Sequence, residues 1–400
     1  MNENQAGSTR IDAWFLSIAA LMSAALALGC SGSDGRGQEK SGKKKGIKPD
    51  TTVIVRTAAF SPDSKLLVVA TGPGGKFPEN SPQQRAMQLW YVETCKLINT
   101  FWLDKAAIDV FFFDGGKKIL TSDYGSITIF DVAKGARDGK YIRGGIPLAI
   151  MRDGKKLLVY TDDDGQRAIE LWDPFTAKVL QKLPTKSQPN SSPAAVSPDG
   201  KWALVACSGQ IIAQLWDLSR GEVQFSLVGL QKGDEPIYQL WDHKGKVKKT
   251  FAEADVLGHP VAFSPDSKTL VAAHINGREE PGREKFSLRL WEIETVKALR
   301  TLARFSEGIG LMTFSPDGKE LVLFTEKHLR RLQFPDGKQL WSVPLSLDRI
   351  SIFSPDATRL FLGGGVTYSS LKGNDVDTLR LEIWDAVHGK KLRNLTRERP

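Results

Sequence analysis

Phe60-Ser-Pro-Asp-Ser-Lys65 runs straight into the apolar stretch Leu66-Leu-Val-Val-Ala70, and the same phrase returns four more times along the chain. It reads Val196-Ser-Pro-Asp-Gly-Lys201, Phe263-Ser-Pro-Asp-Ser-Lys268, Phe314-Ser-Pro-Asp-Gly-Lys319 and Phe353-Ser-Pro-Asp-Ala357. Phe113-Asp-Gly-Gly-Lys-Lys118 and Met151-Arg-Asp-Gly-Lys-Lys156 are worn copies. The chemistry is that of a tight hairpin. Proline presets φ at the second turn position, the aspartate side chain caps the turn, and glycine accepts the positive φ that follows. Each turn opens a nearly unbroken apolar run, as at Leu157-Leu-Val-Tyr160, Leu270-Val-Ala-Ala273 and Leu321-Val-Leu-Phe324. Runs of that kind suit a strand covered on both faces.

A second phrase follows in most units: Leu89-Trp-Tyr91, Ile129-Phe-Asp131, Leu171-Trp-Asp173, Leu215-Trp-Asp217, Leu290-Trp-Glu292 and Ile383-Trp-Asp385. The residues before it alternate, as in Ser287-Leu-Arg-Leu-Trp291. A short turn comes next, then a strand led by lysine, such as Lys96-Leu-Ile-Asn-Thr-Phe101, Lys178-Val-Leu-Gln-Lys-Leu183 or Lys297-Ala-Leu-Arg-Thr-Leu302. Lysine on an outermost strand discourages pairing with another chain. Each unit therefore reads as four antiparallel strands, inner to outer, with no helical periodicity.

These recurrent phrases resemble the WD-repeat (WD40) family of β-propellers, over nearly all of residues 51–400. The turn positions at 60, 113, 151, 196, 263, 314 and 353 define seven units. A blade of this family is about 40–45 residues, and four to eight such blades close a ring. The expectation is all-β: a seven-bladed propeller of four-stranded antiparallel blades near 51–102, 103–142, 143–185, 186–230, 253–304, 305–345 and 346–396. Gln239-Leu-Trp-Asp242 and Lys246-Val-Lys-Lys-Thr-Phe251 repeat the third and fourth strands alone. They are read as a hairpin, 231–252, inserted into the connection after blade four; an eight-bladed ring is the alternative. The Gly-His dipeptide of the family occurs once, as Gly258-His259, so most blades must rely on packing and hairpin turns.

The first fifty residues have another character. Ala13 to Leu28 carries no charge, and sixteen helical residues rise about 24 Å, short of a hydrocarbon core of roughly 30 Å. That length fits the apolar region of a signal peptide with Arg10 as its basic flank. The run ends Leu26-Ala-Leu-Gly-Cys30, which resembles the lipobox of bacterial lipoproteins, with Ala27 where that family prefers Leu. The resemblance implies cleavage before Cys30 and lipidation of its thiol; a cleaved secretory signal or an uncleaved anchor are the alternatives. Residues 31–50 hold six cations and three anions and almost nothing apolar, the composition of a flexible linker. The expected protein is exported and tethered to the cell envelope by membrane lipid, facing the periplasm or on the outer membrane, or else secreted.

The formal net charge is +9 over 400 residues. No stretch interleaves basic clusters with aromatics as nucleic-acid binders do, so nucleic acid is not expected as a partner. Five histidines show no metal spacing, and there is no nucleophile elbow, phosphate loop or dinucleotide fingerprint. Cofactors and catalytic residues are accordingly expected to be none. Cys95 and Cys207 fall in units one and four, too far apart to pair.

Trp90, Trp172, Trp216, Trp291 and Trp384 recur at one place in the repeat, so packing between units explains them; Trp102, Trp202 and Trp341 are expected to be packed as well. Asp173, Asp217 and Asp385 are read as turn-capping groups. The surplus residues concentrate on connections that leave one face of a four-stranded meander: Thr71 to Arg85, His274 to Lys285, and Gly363 to Asp377. Loops on a rigid scaffold carry binding. Arg85, Arg278, Glu279, Arg283, Tyr368 and Asp375 are the candidate partner-binding residues. The function expected is that of a non-catalytic protein–protein interaction scaffold. A small-ligand or glycan sensor and a cofactor-dependent propeller enzyme are the alternatives, although enzymes of that architecture place clustered His, Glu or Arg at the channel and none is visible here.

Overall fold

The computed structural model describes residues 53–73, 85–123, 126–143, 145–163, 165–185, 188–189, 194–232, 235–251, 260–275, 285–345, 350–364 and 381–395. The signal-like segment, Cys30 and the linker lie outside them. Among the described residues the chain is strand and turn, with one 3-10 turn at Asp114–Gly116. The strands form antiparallel sheets, and in the four-stranded ones each strand pairs with its neighbour in sequence. The first sheet is Val53–Phe60, Leu66–Pro73, Ala86–Tyr91 and Lys96–Trp102. Its second strand shows why these residues fold this way: Leu67, Val68, Val69 and Ala70 are all fully buried, one pair on each face. The outermost strand is the opposite case, and Lys390–Asn394 of the last sheet is exposed along its whole length.

Seven four-stranded blades are what the sequence predicts; the structure holds six. The remaining sheet, the fourth in chain order, has seven strands. Two short inner pieces, Gln188–Pro189 and Ala195–Val196, pair with Trp202–Ser208, and Ile211–Asp217 and Glu222–Lys232 follow. Glu235–Asp242 and Val247–Phe251 then continue the same sheet outward. The extra residues thus pair as a hairpin that extends the fourth sheet outward. The reason is local. Glu222–Lys232 is eleven residues long with a free edge, and Gln239-Leu-Trp-Asp242 has the alternation of a third strand. Leu240 and Tyr238 consequently bury beside Leu227, Trp291 and Ile293 of the seam with the next sheet.

Successive sheets pack through their inner strands, and Ile350–Phe353 of the last lies against Val53–Phe60 of the first. The chain closes on itself without sharing a strand, through side-chain packing and the hydrogen bonds of Asp356 N–H to Ser64 Oγ at 3.3 Å and Arg393 Nη1 to the Thr94 carbonyl at 3.4 Å. Among the described residues Val53–Phe60 pairs with Leu66–Pro73 alone, and the last sheet supplies its own fourth strand. Val55, Phe60, Leu67 and Trp90 of the first sheet share one core with Phe361, Leu381, Ile383 and Leu395 of the last.

The Ser-Pro-Asp turns form a second set of contacts between neighbours. In the first, Ser61 Oγ donates to Asp63 Oδ1 at 2.6 Å and accepts the Leu66 N–H at 2.9 Å, and Asp63 accepts the Lys65 N–H at 3.1 Å. The same three bonds recur at Ser197, Ser264, Ser315 and Ser354. The residue after the aspartate sits at positive φ. At Gly154, φ is +68°, and an added Cβ would lie 3.0 Å from the Asp114 backbone nitrogen of the preceding sheet. Ser64 and Ser267 occupy the same position without being glycine. Each uses its hydroxyl to accept an N–H from the preceding sheet's turn, Asp356 N–H at 3.3 Å and Asp199 N–H at 3.1 Å. An αL serine is strained, and these bonds offset the strain.

Candidate functional site

The hairpin turns emerge at one end of the ring, and the connections between sheets, together with the hairpins between second and third strands, at the other. The turn end holds a cavity of about 340 Å³ lined by residues of sheets three to seven. Pro198, Pro265, Pro316 and Pro355 of the turns line it, with Val196, Phe263 and Met312 from inner strands. Arg152 stands where five of the other turns have proline and is the one charged side chain in the lining. The cavity lining is thus mostly apolar with a single cation.

At the other end, Arg85 Nη1 donates to the Asp104 carbonyl at 2.5 Å, and the Asp104 carboxylate pairs with Arg137 at 2.7 Å. Arg85 is therefore held against the connection into the second sheet. Arg278, Glu279, Arg283, Tyr368 and Asp375 lie outside the described residues. The strands they join are described, however: Thr269–Ile275 with Phe286–Glu292 in the fifth sheet, Arg359–Gly363 with Leu381–Asp385 in the last.

Two carboxylates at this end went unnoticed in the sequence. Glu307 accepts hydrogen bonds from Thr325 Oγ1, from His328 Nδ1 at 2.8 Å and from Arg330 Nη2 at 3.4 Å. Burial raises its carboxyl, but these three partners outweigh burial and hold it below the ordinary carboxylate range. Asp109 opens the inner strand Asp109–Phe113 and is pushed up to about 6 by burial. Its native pKa lies above the unfolded one, so its contribution to stability is greatest below about pH 4 and falls as pH rises through 6. Asp109→Asn should therefore raise the urea midpoint at pH 7.5, by about 1–2 kcal/mol in unfolding free energy, and give no gain at pH 4. An equal gain at both pH values would show that charge is not the cause.

The repeat residues are distributed as follows. Trp90, Trp216 and Trp291 are almost completely buried, Trp172 is buried and Trp384 half-buried. The structure divides the five by what their indole N–H meets. Trp172 Nε1 donates to Glu170 Oε2 at 2.7 Å and Trp384 Nε1 to Glu382 Oε2 at 2.9 Å, both carboxylates buried and each also paired to a lysine, Lys182 at 3.2 Å and Lys391 at 2.8 Å. Trp291 Nε1 meets His274 Nε2 at 3.3 Å beneath a stacked ring pair. Trp90 and Trp216 have a buried N–H with no partner among the described residues. A glutamate two residues before tryptophan lies on the same strand face, which is the sequence signal for the first two.

Asp173, Asp217 and Asp385 each accept backbone N–H groups of the following turn, at 2.8 Å from Phe175, 3.0 Å from Ser219 and 2.8 Å from Val387. Burial raises Asp217, yet the Ser219 hydroxyl and those N–H groups leave it below the ordinary range. Trp102 corrects an expectation. It ends an outermost strand and is 54% exposed, because no sheet lies over that face; Trp202 is buried. Cys95 is a half-buried free thiol, and Cys207 is buried with its Sγ 3.6 Å from the Val205 carbonyl oxygen. Among the described residues no group of three or more His, Cys, Asp or Glu gathers within reach of one metal ion.

No family model matches the chain. It is 25% identical over 175 residues to autophagy-related protein 16 of Arabidopsis thaliana, covering 39% of this chain and 32% of that protein. It is 31% identical over 133 residues to inosine-5'-monophosphate dehydrogenase 1 of the same organism, covering 32% of this chain and 23% of that protein. The chain thus spans a third or less of the curated relatives it matches. Among solved structures it resembles hydrazine synthase of Kuenenia stuttgartiensis, with TM-score 0.52 at 15% identity over 86% of this chain and 98% of that one. It also resembles a functionally unknown protein from Desulfotomaculum acetoxidans DSM 771, with TM-score 0.53 at 13% identity over 86% and 95%. At these identities the likeness is one of fold: an all-β propeller of antiparallel blades.

Proposed function

We propose that the chain is a non-catalytic interaction scaffold of WD-repeat type, in which the expanded fourth sheet takes the place of a seventh blade. Its partner is a protein gripped by the long connections at the loop end, and lipidated Cys30 tethers it to the cell envelope. One observation supports the reading most. The strand pairs that carry the connections 71–85 and 363–377 belong to the first and last sheets, which share a core, so two of the three long connections leave the ring side by side. Packing and hydrogen bonds on both sides hold their bases still, which is what a binding loop requires of its scaffold.

Two measurements test the parts separately. Arg278→Glu with Arg283→Glu should cut crosslinking to a captured partner about tenfold or more; undiminished capture would remove the loop end from the proposal. Cys30→Ser should abolish partition into the detergent phase, and unchanged partition would remove the lipid. The cavity around Arg152 supports a second reading, a sensor for small anionic ligands. Isothermal titration with cell-wall fragments, repeated on Arg152→Ala, separates it from the scaffold.

A further inference from the structure

We propose that Val247–Phe251, the last strand of the fourth sheet, is a docking edge for an acidic, extended polypeptide segment that adds as a further antiparallel strand. This goes beyond the loop-end reading and does not depend on it. Among the described residues the strand pairs on one side only, with Glu235–Asp242, from Trp241↔Val247 to Tyr238↔Phe251. Its other edge carries no partner strand among the described residues, and such an edge presents a row of backbone donors and acceptors.

Three other outermost strands keep one face against the ring, with Phe101, Leu183 and Phe305 buried. Here Val247, Lys248, Lys249 and Thr250 are all exposed, on both faces of the sheet. The backbone ladder to Glu235–Asp242 holds it, with Lys248 Nζ at 3.3 Å from Asp242 and Gln239 Nε2 donating to Thr250 Oγ1 at 3.5 Å. Addition of a strand is an operation this sheet already performs: Glu222–Lys232 accepts Glu235–Asp242 over eight consecutive pairs, from Phe225↔Asp242 to Lys232↔Glu235, without a break in register.

Charge selects the occupant. Lys244, Lys246, Lys248 and Lys249 crowd the hairpin. The nearby acid, Asp242, is engaged by the N–H groups of Lys244 and Lys246 and by Lys248 Nζ at 3.3 Å. A second copy of the strand would set lysine against lysine, which destabilises cross-strand pairs, whereas carboxylates at alternate positions would be favoured. Backbone pairing supplies affinity and the facing side chains supply selectivity, as in other strand additions.

The test uses the full chain and the capped peptide Glu-Val-Glu-Val-Glu-Val. Binding should slow amide hydrogen exchange across residues 247–251. Lys246→Glu with Lys249→Glu should weaken it about tenfold and transfer preference to the peptide with lysine in place of glutamate. Thermal midpoints of the variant and the parent chain, measured alongside, separate a lost docking edge from a lost fold. Glu-Val-Glu-Pro-Glu-Val keeps the charge but interrupts the ladder, and it should not bind. The proposal is overturned if the proline peptide binds equally, if exchange at 247–251 is unaffected, or if vesicles of phosphatidylglycerol protect this strand while the peptide does not.

Discussion

Phe361→Ala should cost about 3–5 kcal/mol of unfolding free energy and should loosen the first sheet as much as the last. Phe361 is fully buried, and it packs with Val55, Phe60, Leu67 and Trp90 across the seam where the chain's two ends meet. Every other seam joins sheets that are consecutive in the chain, so a lost contact there is backed by covalent continuity. This one depends on packing, on the Asp356 N–H bond to Ser64 Oγ and on the exposed bond from Arg393 Nη1 to the Thr94 carbonyl. Phe324→Ala is the matched control, since that ring is equally buried but sits between the sixth and last sheets. Both variants should lose similar stability in urea. Only Phe361→Ala should accelerate hydrogen exchange in Val53–Phe60. Equal exchange in the two would mean that the seam is not where the ring opens.

Trp172→Phe should cost about 2–4 kcal/mol and Trp216→Phe about 1 kcal/mol, although the two tryptophans hold the same place in the repeat. The difference lies in what remains. Without the indole N–H, the buried Glu170 carboxylate keeps Lys182 but loses a 2.7 Å donor. A buried charge short of a partner is expensive. Trp216 has no acceptor for its N–H among the described residues, so phenylalanine removes ring area and an unsatisfied donor together. Adding Glu170→Leu to Trp172→Phe should return part of the loss, because replacing both partners by apolar groups approaches neutrality. Urea midpoints of the three variants decide it; equal costs for the single variants would deny Glu170 its role.

Turn chemistry, strand order and the burial of second strands were legible in the residues, because each is local. A Ser-Pro-Asp phrase closes its own hairpin with bonds that span five residues or fewer, and an unbroken apolar run has no polar face to offer solvent. The candidate site was less legible. The long connections announce themselves by composition, yet nothing in Arg85 reveals that its guanidinium is spent on the Asp104 carbonyl. Glu307 reads as an ordinary loop acid until Thr325 and His328, eighteen or more residues on, are brought to it.

The repeat phrases alone thus establish a chain of antiparallel four-stranded units with aspartate-capped turns. They do not tell how many units stay four-stranded, how first meets last, or which tryptophans find an acceptor. Those outcomes turn on edges and seams. Glu222–Lys232 had a free edge long enough to take up the next hairpin, and Val55 and Phe361 needed a shared apolar neighbour that neither sheet could supply alone. Contacts between segments three hundred residues apart have no signature in local pattern, since their energy comes from surfaces that exist only once each sheet has formed.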